Sequence, residues 1–187
     1  MIEAYKILSN EQCDHIIELF NRDDRRQPGR VAGNVLLPIH KKSLDLNLSF
    51  DESPYDEYNN IILPAINAGL TAYVNQYSYL KTGAKFTIFD RYNIQYYGDG
   101  DGYFTLHHEV EPSKDHIYIH RMIAWMVYLN DAESGTEFPY QDTILKPETG
   151  CVAMWPAYWT HPHKGVTPNV GDKYIATGWL NYLPVTE

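Results

Sequence analysis

The fold is decided by residues 85–109, which read KFTIFDRYNIQYYGDGDGYFTLHHE. Aromatic and β-branched residues, which favour strands, fill the first half of this stretch. A glycine-rich turn at 98–102 separates it from 104–109. In an extended chain, residues two apart point to the same side, so we expect His107 and Glu109 to share a face and His108 to face away. The stretch therefore predicts strands, the last carrying an imidazole and a carboxylate side by side.

Outward from this stretch, the second half of the chain continues as short runs rich in strand-forming residues. Turn signals such as Glu133-Ser134-Gly135 separate several of them. Many short strands at near-regular spacing predict an antiparallel sandwich or barrel. The expected strands are 85–90, 93–97, 103–110, 116–129, 143–146, 151–155, 163–166 and 174–183.

The N-terminal region has mostly helical patterns. Residues 9–21 predict a helix capped by Ser9 or Asn10. Residues 55–77 also have helical spacing, but Pro64 predicts either two helical pieces or one helix that begins near it. Alternating leucines at 44, 46 and 48 predict a short strand. We predict one domain over 1–187, with a helical support region at 1–80 that contains one or two short strands, and a β core at 81–187.

Composition excludes several function classes. The chain has 187 residues, 44% of them hydrophobic, and a net charge of −9 without a concentrated Lys/Arg tract. Clustered cations are what hold a phosphate backbone, so a nucleic-acid partner is not expected.

Cys13 and Cys151 are expected to be free, buried thiols. Neither a signal-peptide pattern nor a membrane-spanning apolar run is found, so we expect a cytoplasmic protein without a membrane partner.

His107 and Glu109 supply two-thirds of a 2-His-1-carboxylate metal site, in which three protein ligands occupy one face of an iron(II) ion. The other face is left open for a bidentate cosubstrate and dioxygen. The third ligand must come from a distant strand. The residues themselves leave two candidates, His161 and His163.

The order of the motifs resembles one enzyme family. Over 96–183 the chain is similar to the prolyl 4-hydroxylase-like branch of the iron(II)/2-oxoglutarate dioxygenases, and segments 8–13 and 42–43 resemble its N-terminal part. The matching core pieces, in the family's order, are 97–109, Arg121 with Tyr128-Leu129-Asn130, 134–138, 150–156, 163–168, 171–174 and Trp179.

This resemblance implies a mainly β fold, a double-stranded β-helix (jelly-roll, cupin-like) barrel flanked by N-terminal helices. It implies a dioxygenase that uses Fe(II), 2-oxoglutarate and O2, with ascorbate as a further candidate cofactor. The implied reaction is hydroxylation of an unactivated C–H bond with release of succinate and CO2. A prolyl residue of a peptide or protein is the substrate that the branch suggests.

The resemblance also implies residue roles. The family holds the C5 carboxylate of 2-oxoglutarate with a basic residue about ten positions past the distal histidine. Lys173 lies ten positions after His163 and twelve after His161, which favours His163 as the third metal ligand. Glu109 stands where most members have aspartate, and a glutamate would have to fold back to reach the same metal.

A tyrosine commonly shares the cosubstrate carboxylate in this family. Tyr97, Tyr103 and Tyr128 are candidates, and we choose Tyr97. Two rival functions are considered: a non-catalytic jelly-roll binding protein, and a cupin-like metalloenzyme that does not use 2-oxoglutarate. The set of His107, Glu109, His163 and Lys173 argues against the first rival, and Lys173 argues against the second.

Overall fold

The computed structural model describes residues 1–31, 35–111 and 117–183. Two helices lie in the N-terminal half, α1 (Asn10–Arg22) and α2 (Asp56–Gln76). The strands are β1 (Glu3–Lys6), β2 (Gln27–Pro28), β3 (Lys41–Lys42), β4 (Leu44–Ser49), β5 (Phe86–Tyr97), β6 (Gly102–Tyr103), β7 (Arg121–Tyr128), β8 (Thr136–Phe138), β9 (Thr143–Leu145), β10 (Cys151–Pro156), β11 (Lys164–Gly165) and β12 (Lys173–Tyr182).

A large antiparallel sheet dominates the molecule. Its seven strands run in the order β1-β10-β7-β12-β5-β4-β2, and smaller sheets β11-β8-β9 and β3-β6 accompany it. The helices pack on one face of the large sheet, where Ile16, Ile66 and Val152 are fully buried. The other face lines a cavity to which β6, β8 and β11 also contribute residues. The site therefore lies on the face of the sheet opposite to the helices.

Helix α1 begins where its sequence predicts. The Ser9 hydroxyl accepts a hydrogen bond from the Gln12 amide, and the Gln12 side chain accepts one from the Ser9 amide. This reciprocal capping satisfies two backbone donors that the helix itself cannot pair. Cys13, on the buried face of the same helix, is a free thiol, as Cys151 is, and both are buried as predicted.

Helix α2 contradicts the prediction for 55–77. It is one continuous helix with Pro64 in its interior, not two pieces and not a helix that begins near Pro64. Proline has no N–H, so the Asn60 carbonyl lacks the hydrogen bond that residue 64 would otherwise donate. Both Pro64 and Asn60 are exposed, so water can solvate that carbonyl. The buried face, with Ile62, Ile66 and Tyr73, packs on the core and outweighs the missing hydrogen bond.

The structure changes several strand predictions. Segments 85–90 and 93–97 form one strand, β5, because β4 and β12 pair with it on both sides. Segment 103–110 is regular only at β6, and His107 makes an isolated bridge with His163. The predicted strand 116–129 begins at Arg121, after a 3-10 turn at Ile117–His120, and its first residue lies outside the described residues. Residues 1–80 contribute four strands, more than expected, three of them in the large sheet.

No helix in the described part of the chain is long and apolar enough to cross a membrane.

Candidate metal centre

Three predicted ligands meet at the cavity face of the large sheet. One ligand atom from each of His107, Glu109 and His163 lies within 4.8 Å of the others. The Glu109 Oε1 atom is 3.2 Å from His163 Nε2 and 3.9 Å from His107 Nε2. The structure thus brings together residues 54 positions apart in the sequence, in the His/carboxylate/His combination that suits iron(II).

Backbone hydrogen bonds hold the ligand-bearing segment in place of a regular strand. The His107 amide donates to the His163 carbonyl at 3.0 Å, and the His163 amide donates to the His107 carbonyl at 2.8 Å. The Glu109 amide donates to the Ala157 carbonyl at 3.0 Å. Because the segment stays extended, His107 and Glu109 reach the same side, although the predicted strand is mostly absent.

Each ligand histidine has its Nδ1 atom occupied by a carbonyl. His107 Nδ1 lies 2.9 Å from the Thr105 carbonyl, and His163 Nδ1 lies 3.1 Å from the His161 carbonyl. A carbonyl can only accept, so Nδ1 carries the proton and the Nε2 lone pair faces the cluster. Burial, with the neighbouring His163, lowers the pKa of His107 to about 4, which keeps it neutral and able to bind a metal.

His161, the alternative third ligand, lies outside this cluster. It is buried, and its own Nδ1 atom is 2.9 Å from the Thr160 hydroxyl. Its contribution to the site is the carbonyl that orients the His163 ring. The structure therefore favours His163, the ligand that the offset to Lys173 selects.

Aromatic rings fix the two imidazoles. The Tyr103 ring stacks on His107 with centroids 3.8 Å apart and an interplanar angle of 11°. The Trp155 and Phe138 rings lie 5.0 and 5.3 Å from the His163 ring. These contacts restrict rotation of the ligands and keep the cluster in a largely apolar surround, which strengthens interactions between charges there.

Glu109 is held at both ends of its carboxylate. Oε2 accepts a hydrogen bond from Trp179 Nε1 at 2.9 Å and lies 3.5 Å from Arg121 Nη1, while Oε1 faces the histidines. The Arg121 guanidinium stacks 3.4 Å above the Trp179 ring and donates to the Glu109 carbonyl at 3.1 Å. Burial alone would raise the pKa of Glu109, but His163, His107 and Arg121 together hold that pKa well below its usual range. The longer side chain is thus accommodated as a fixed, ionised carboxylate.

Lys173 is a buried cation that has no carboxylate partner in the part of the chain that the structure describes. Its side chain is 5% exposed, and its ammonium donates to the Ser134 carbonyl at 3.1 Å. Among the described residues, none of the ion pairs includes it. Burial lowers the pKa of Lys173 to about 8. A buried ammonium ordinarily needs an anion, so the site has a place for an acidic ligand.

Two of the predicted tyrosines, Tyr97 and Tyr128, line the same cavity as Lys173 but present different groups to it. Tyr97 lies opposite Lys173 on neighbouring strands, and the Lys173 ammonium is 5.2 Å from its ring centroid. The Tyr97 hydroxyl donates to the Gln95 side chain at 2.7 Å. Tyr128 lines the same cavity, and its hydroxyl is 2.9 Å from the Thr136 hydroxyl. Tyr97 therefore presents its ring to the ammonium, and the Tyr128–Thr136 pair offers hydroxyls.

Sequence reasoning gave Trp179 a place in the family's order of motifs but no role in the site. The signal was available in strand alternation: Lys173, Ile175, Thr177 and Trp179 are two residues apart on β12 and share one face. All four line one cavity of about 1000 Å³ that also contains the three-residue cluster. The cavity joins the predicted metal ligands to the unpaired lysine.

A family model matches the part of the chain that builds this site. Residues 92–181 match the model of the 2OG-Fe(II) oxygenase superfamily. This chain carries a 2OG-Fe(II) oxygenase domain. It is an oxidoreductase, a dioxygenase that takes Fe(II), 2-oxoglutarate and O2, as the sequence predicts. A search of curated proteins found no match.

Solved structures show the same fold. A viral collagen prolyl hydroxylase from Paramecium bursaria Chlorella virus-1, in complex with 2-oxoglutarate, has 19% identity and a TM-score of 0.67, covering 97% of this chain and 96% of its own. A prolyl-4-hydroxylase from Pseudomonas putida has 16% identity and a TM-score of 0.70, with 96% and 92% covered. A Trichoplax adhaerens prolyl hydroxylase bound to a hypoxia inducible factor peptide fragment has 17% identity and a TM-score of 0.70, with 97% and 83% covered.

These similarities confirm the predicted fold class, a mainly β double-stranded β-helix of the prolyl 4-hydroxylase type. The residues present fit the cofactors of the superfamily. The two Nε2 lone pairs and one carboxylate suit iron(II), and the unpaired Lys173 ammonium suits a dicarboxylate.

Proposed function

We propose that His107, Glu109 and His163 hold the iron and that Lys173 binds the C5 carboxylate of 2-oxoglutarate. One observation carries the assignment: a cluster with two inward-facing Nε2 atoms and a fixed carboxylate shares a cavity with a buried ammonium that has no ion-pair partner among the described residues. Tyr128 and Thr136 border the same cavity, and because one hydroxyl donates to the other, the second can donate to the bound cosubstrate. Tyr97 supports the lysine with its ring.

Bound iron with 2-oxoglutarate and dioxygen supplies the oxidising chemistry for C–H hydroxylation, with succinate and CO2 released. The chain's residues orient the reactants. The Thr105 and His161 carbonyls fix the ligand tautomers, and Trp179 and Arg121 fix the carboxylate. The aromatic residues around the histidines limit access of water to the reacting atoms.

We further propose that the oxidised group belongs to a peptide or protein, with a prolyl residue as the first candidate. Three structural neighbours are named as prolyl hydroxylases, and one of them is bound to a peptide fragment. The cavity here is about 1000 Å³, larger than 2-oxoglutarate requires, and it extends to β2 and the residues that follow it. This room supports a substrate longer than a free amino acid.

A metal-binding experiment tests the ligand assignment. Purified protein should bind about one Mn²⁺ per chain, as a surrogate for Fe²⁺, and His107→Ala or His163→Ala should abolish that binding. His161→Ala is the matched control, since its ring lies outside the cluster and its carbonyl remains. Loss of metal in His161→Ala with retention in His163→Ala would overturn the assignment.

A turnover experiment tests the reaction. The iron-loaded protein should release succinate from 2-oxoglutarate when supplied with prolyl peptides, and the peptide should gain one oxygen atom by mass spectrometry. Turnover of 2-oxoglutarate without peptide oxidation across the panel would remove the peptide assignment and leave the dioxygenase. A requirement for ascorbate and a cytoplasmic location stay predictions from the sequence.

A further inference from the structure

A polar strip crosses the cavity floor on the substrate side of the metal cluster. We define the strip as Asn47 on β4 with Asn93 and Arg91 on β5, all of which line the cavity. Asn47 lies directly opposite Asn93 in the β4–β5 ladder, and Thr177 of β12 lies opposite Asn93 on the other side. Alternation along β5 places Arg91 and Asn93 on the same face as Tyr97.

The strip begins next to the metal cluster. The register between β5 and β12 shifts between Gly178 and Leu180, which sets Trp179 beside Arg91 and its neighbours on β5. The Trp179 indole is bonded to Glu109 at 2.9 Å. Adjacent strands are about 4.8 Å apart, so Arg91 lies roughly one strand spacing from the residue that anchors the carboxylate ligand. A peptide residue at the metal would therefore have its near neighbours over the strip.

The strip's side chains have no partner among the described residues. No hydrogen bond or ion pair within that part of the chain involves the Asn47, Asn93 or Arg91 side chain. Other asparagine and arginine side chains of the protein do have partners: the Asn59 amide donates to the Ser49 carbonyl, and Arg121 lies 3.5 Å from the Glu109 carboxylate. Asp90, next to Arg91 in sequence, also lines the cavity, but none of the ion pairs in the described part of the chain joins these two side chains.

The chemistry of the strip specifies its occupant. An asparagine amide offers two donors and an acceptor, which matches the N–H and C=O groups of a peptide backbone. Arg91 offers only donors and a positive charge, so it selects an anion. Arg30 and Glu111 also line the cavity, and Glu111 acts electrostatically on Arg121. Although the chain has a net charge of −9, the residues that line the cavity include six Lys or Arg side chains against four Asp or Glu.

We propose that this strip binds the substrate as an extended peptide and selects an acidic side chain about two or three residues from the oxidised position. The proposal rests on the proposed function, in which the substrate is a peptide. Asn47 and Asn93 hold the peptide backbone whatever its sequence. Arg91 reads the charge of the flanking side chain.

The test compares matched peptides that carry Glu or Lys at the flanking positions on each side of a central proline. Wild type should have a kcat/KM at least about threefold higher for a Glu peptide than for the matching Lys peptide. Arg91→Glu should reverse this preference, so that the Glu/Lys ratio of kcat/KM changes by about tenfold in total, as expected when an exposed ion pair becomes a repulsion. Arg91→Lys should keep the preference. Arg22→Glu, a charge reversal at the end of α1 outside the cavity, should not alter the ratio.

Asn47→Ala and Asn93→Ala separate the two roles. Each should lower kcat/KM for Glu and Lys peptides alike, by about three- to tenfold, because a backbone hydrogen bond is lost irrespective of flanking charge. Equal kcat/KM for Glu and Lys peptides in wild type, or an unchanged ratio in Arg91→Glu, would overturn the proposal while the hydroxylase assignment stands. If wild type oxidises none of the peptides, the peptide substrate itself fails, and this proposal with it.

Discussion

Replacing Lys173 by methionine should stabilise the protein without ligands while it removes 2-oxoglutarate binding. Methionine has a similar length and no charge, so it fills the same buried space. The wild-type ammonium is 5% exposed and has only the Ser134 carbonyl as a hydrogen-bond partner. Folding therefore has to desolvate a charge that no anion in the described residues compensates.

The magnitude follows from the pKa of Lys173. Burial lowers that pKa from its ordinary 10.5 to about 8, which corresponds to roughly 3 kcal/mol of unfavourable free energy for the charged form. Methionine removes this penalty and leaves the Ser134 carbonyl unpaired, which costs about 1 kcal/mol. The expected net gain in the free energy of unfolding is about 2 kcal/mol, or roughly 5 °C in Tm for a chain of this size.

Thermal unfolding with and without 2-oxoglutarate, in the presence of Mn²⁺, measures both effects. At a concentration 100 times its Kd, the ligand should stabilise wild type by about 2.7 kcal/mol. A 100-fold weaker affinity in Lys173→Met would leave about 0.4 kcal/mol. Lys85→Met, at an exposed lysine before β5, is the matched control. A Lys173→Met protein that is less stable without ligand than wild type would refute the reasoning.

The pH dependence of the free energy of unfolding tests whether burial of the Lys173 charge is the cause of this difference. Between pH 8 and 10.5 the unfolded chain keeps the Lys173 proton that the folded chain has released. The unfolded state then binds more protons, so this group's contribution to stability rises with pH across that window. The advantage of Lys173→Met over wild type should be full at pH 7 and should shrink by pH 9.5. A constant difference would show that charge burial is not its origin.

Two further substitutions test contacts on the two faces of the large sheet. Trp179→Phe removes the indole N–H that donates to Glu109 Oε2 at 2.9 Å, so the affinity for Mn²⁺ should fall about tenfold. Trp159→Phe, at a side chain that is 69% exposed, should leave the Mn²⁺ affinity unchanged. An equal loss of affinity in both variants would contradict the role of the indole. Gly178→Ala places a Cβ atom 2.5 Å from the buried Trp125 ring, so the free energy of unfolding should fall by about 2 kcal/mol; Gly83→Ala, whose nearest neighbour would be 3.6 Å away, should change it little in the same denaturant titration.

Much of the site could be predicted because strand geometry is local. The two-residue spacing of His107 and Glu109 is a property of one short segment, and the offset from His163 to Lys173 matches that of the resembled family. The structure places all four side chains in one cavity. The capping of α1 by Ser9 is equally local, since donor and acceptor are three residues apart. In such cases the relevant partners are neighbours in sequence, so the pattern itself contains the answer.

Other features depend on contacts between distant residues. Pro64 lies inside α2 because burial of that helix on the sheet outweighs one lost hydrogen bond. The segment around His107 is extended because the backbone of His163 and Ala157 pairs with it. Arg121 and Trp179 converge on Glu109 from two neighbouring strands and hold its carboxylate, at a position where the resemblance leads one to expect an aspartate.

The sequence by itself determined the pair of His107 and Glu109 through strand alternation, and the resemblance of its motifs to one family implied the cosubstrate lysine and the class of fold. The tertiary structure decided which histidine joins Glu109, what holds that carboxylate, and which polar side chains extend the cavity beyond the metal ligands. Those outcomes depend on strand register, and register is fixed by the packing of the whole sheet rather than by any one segment.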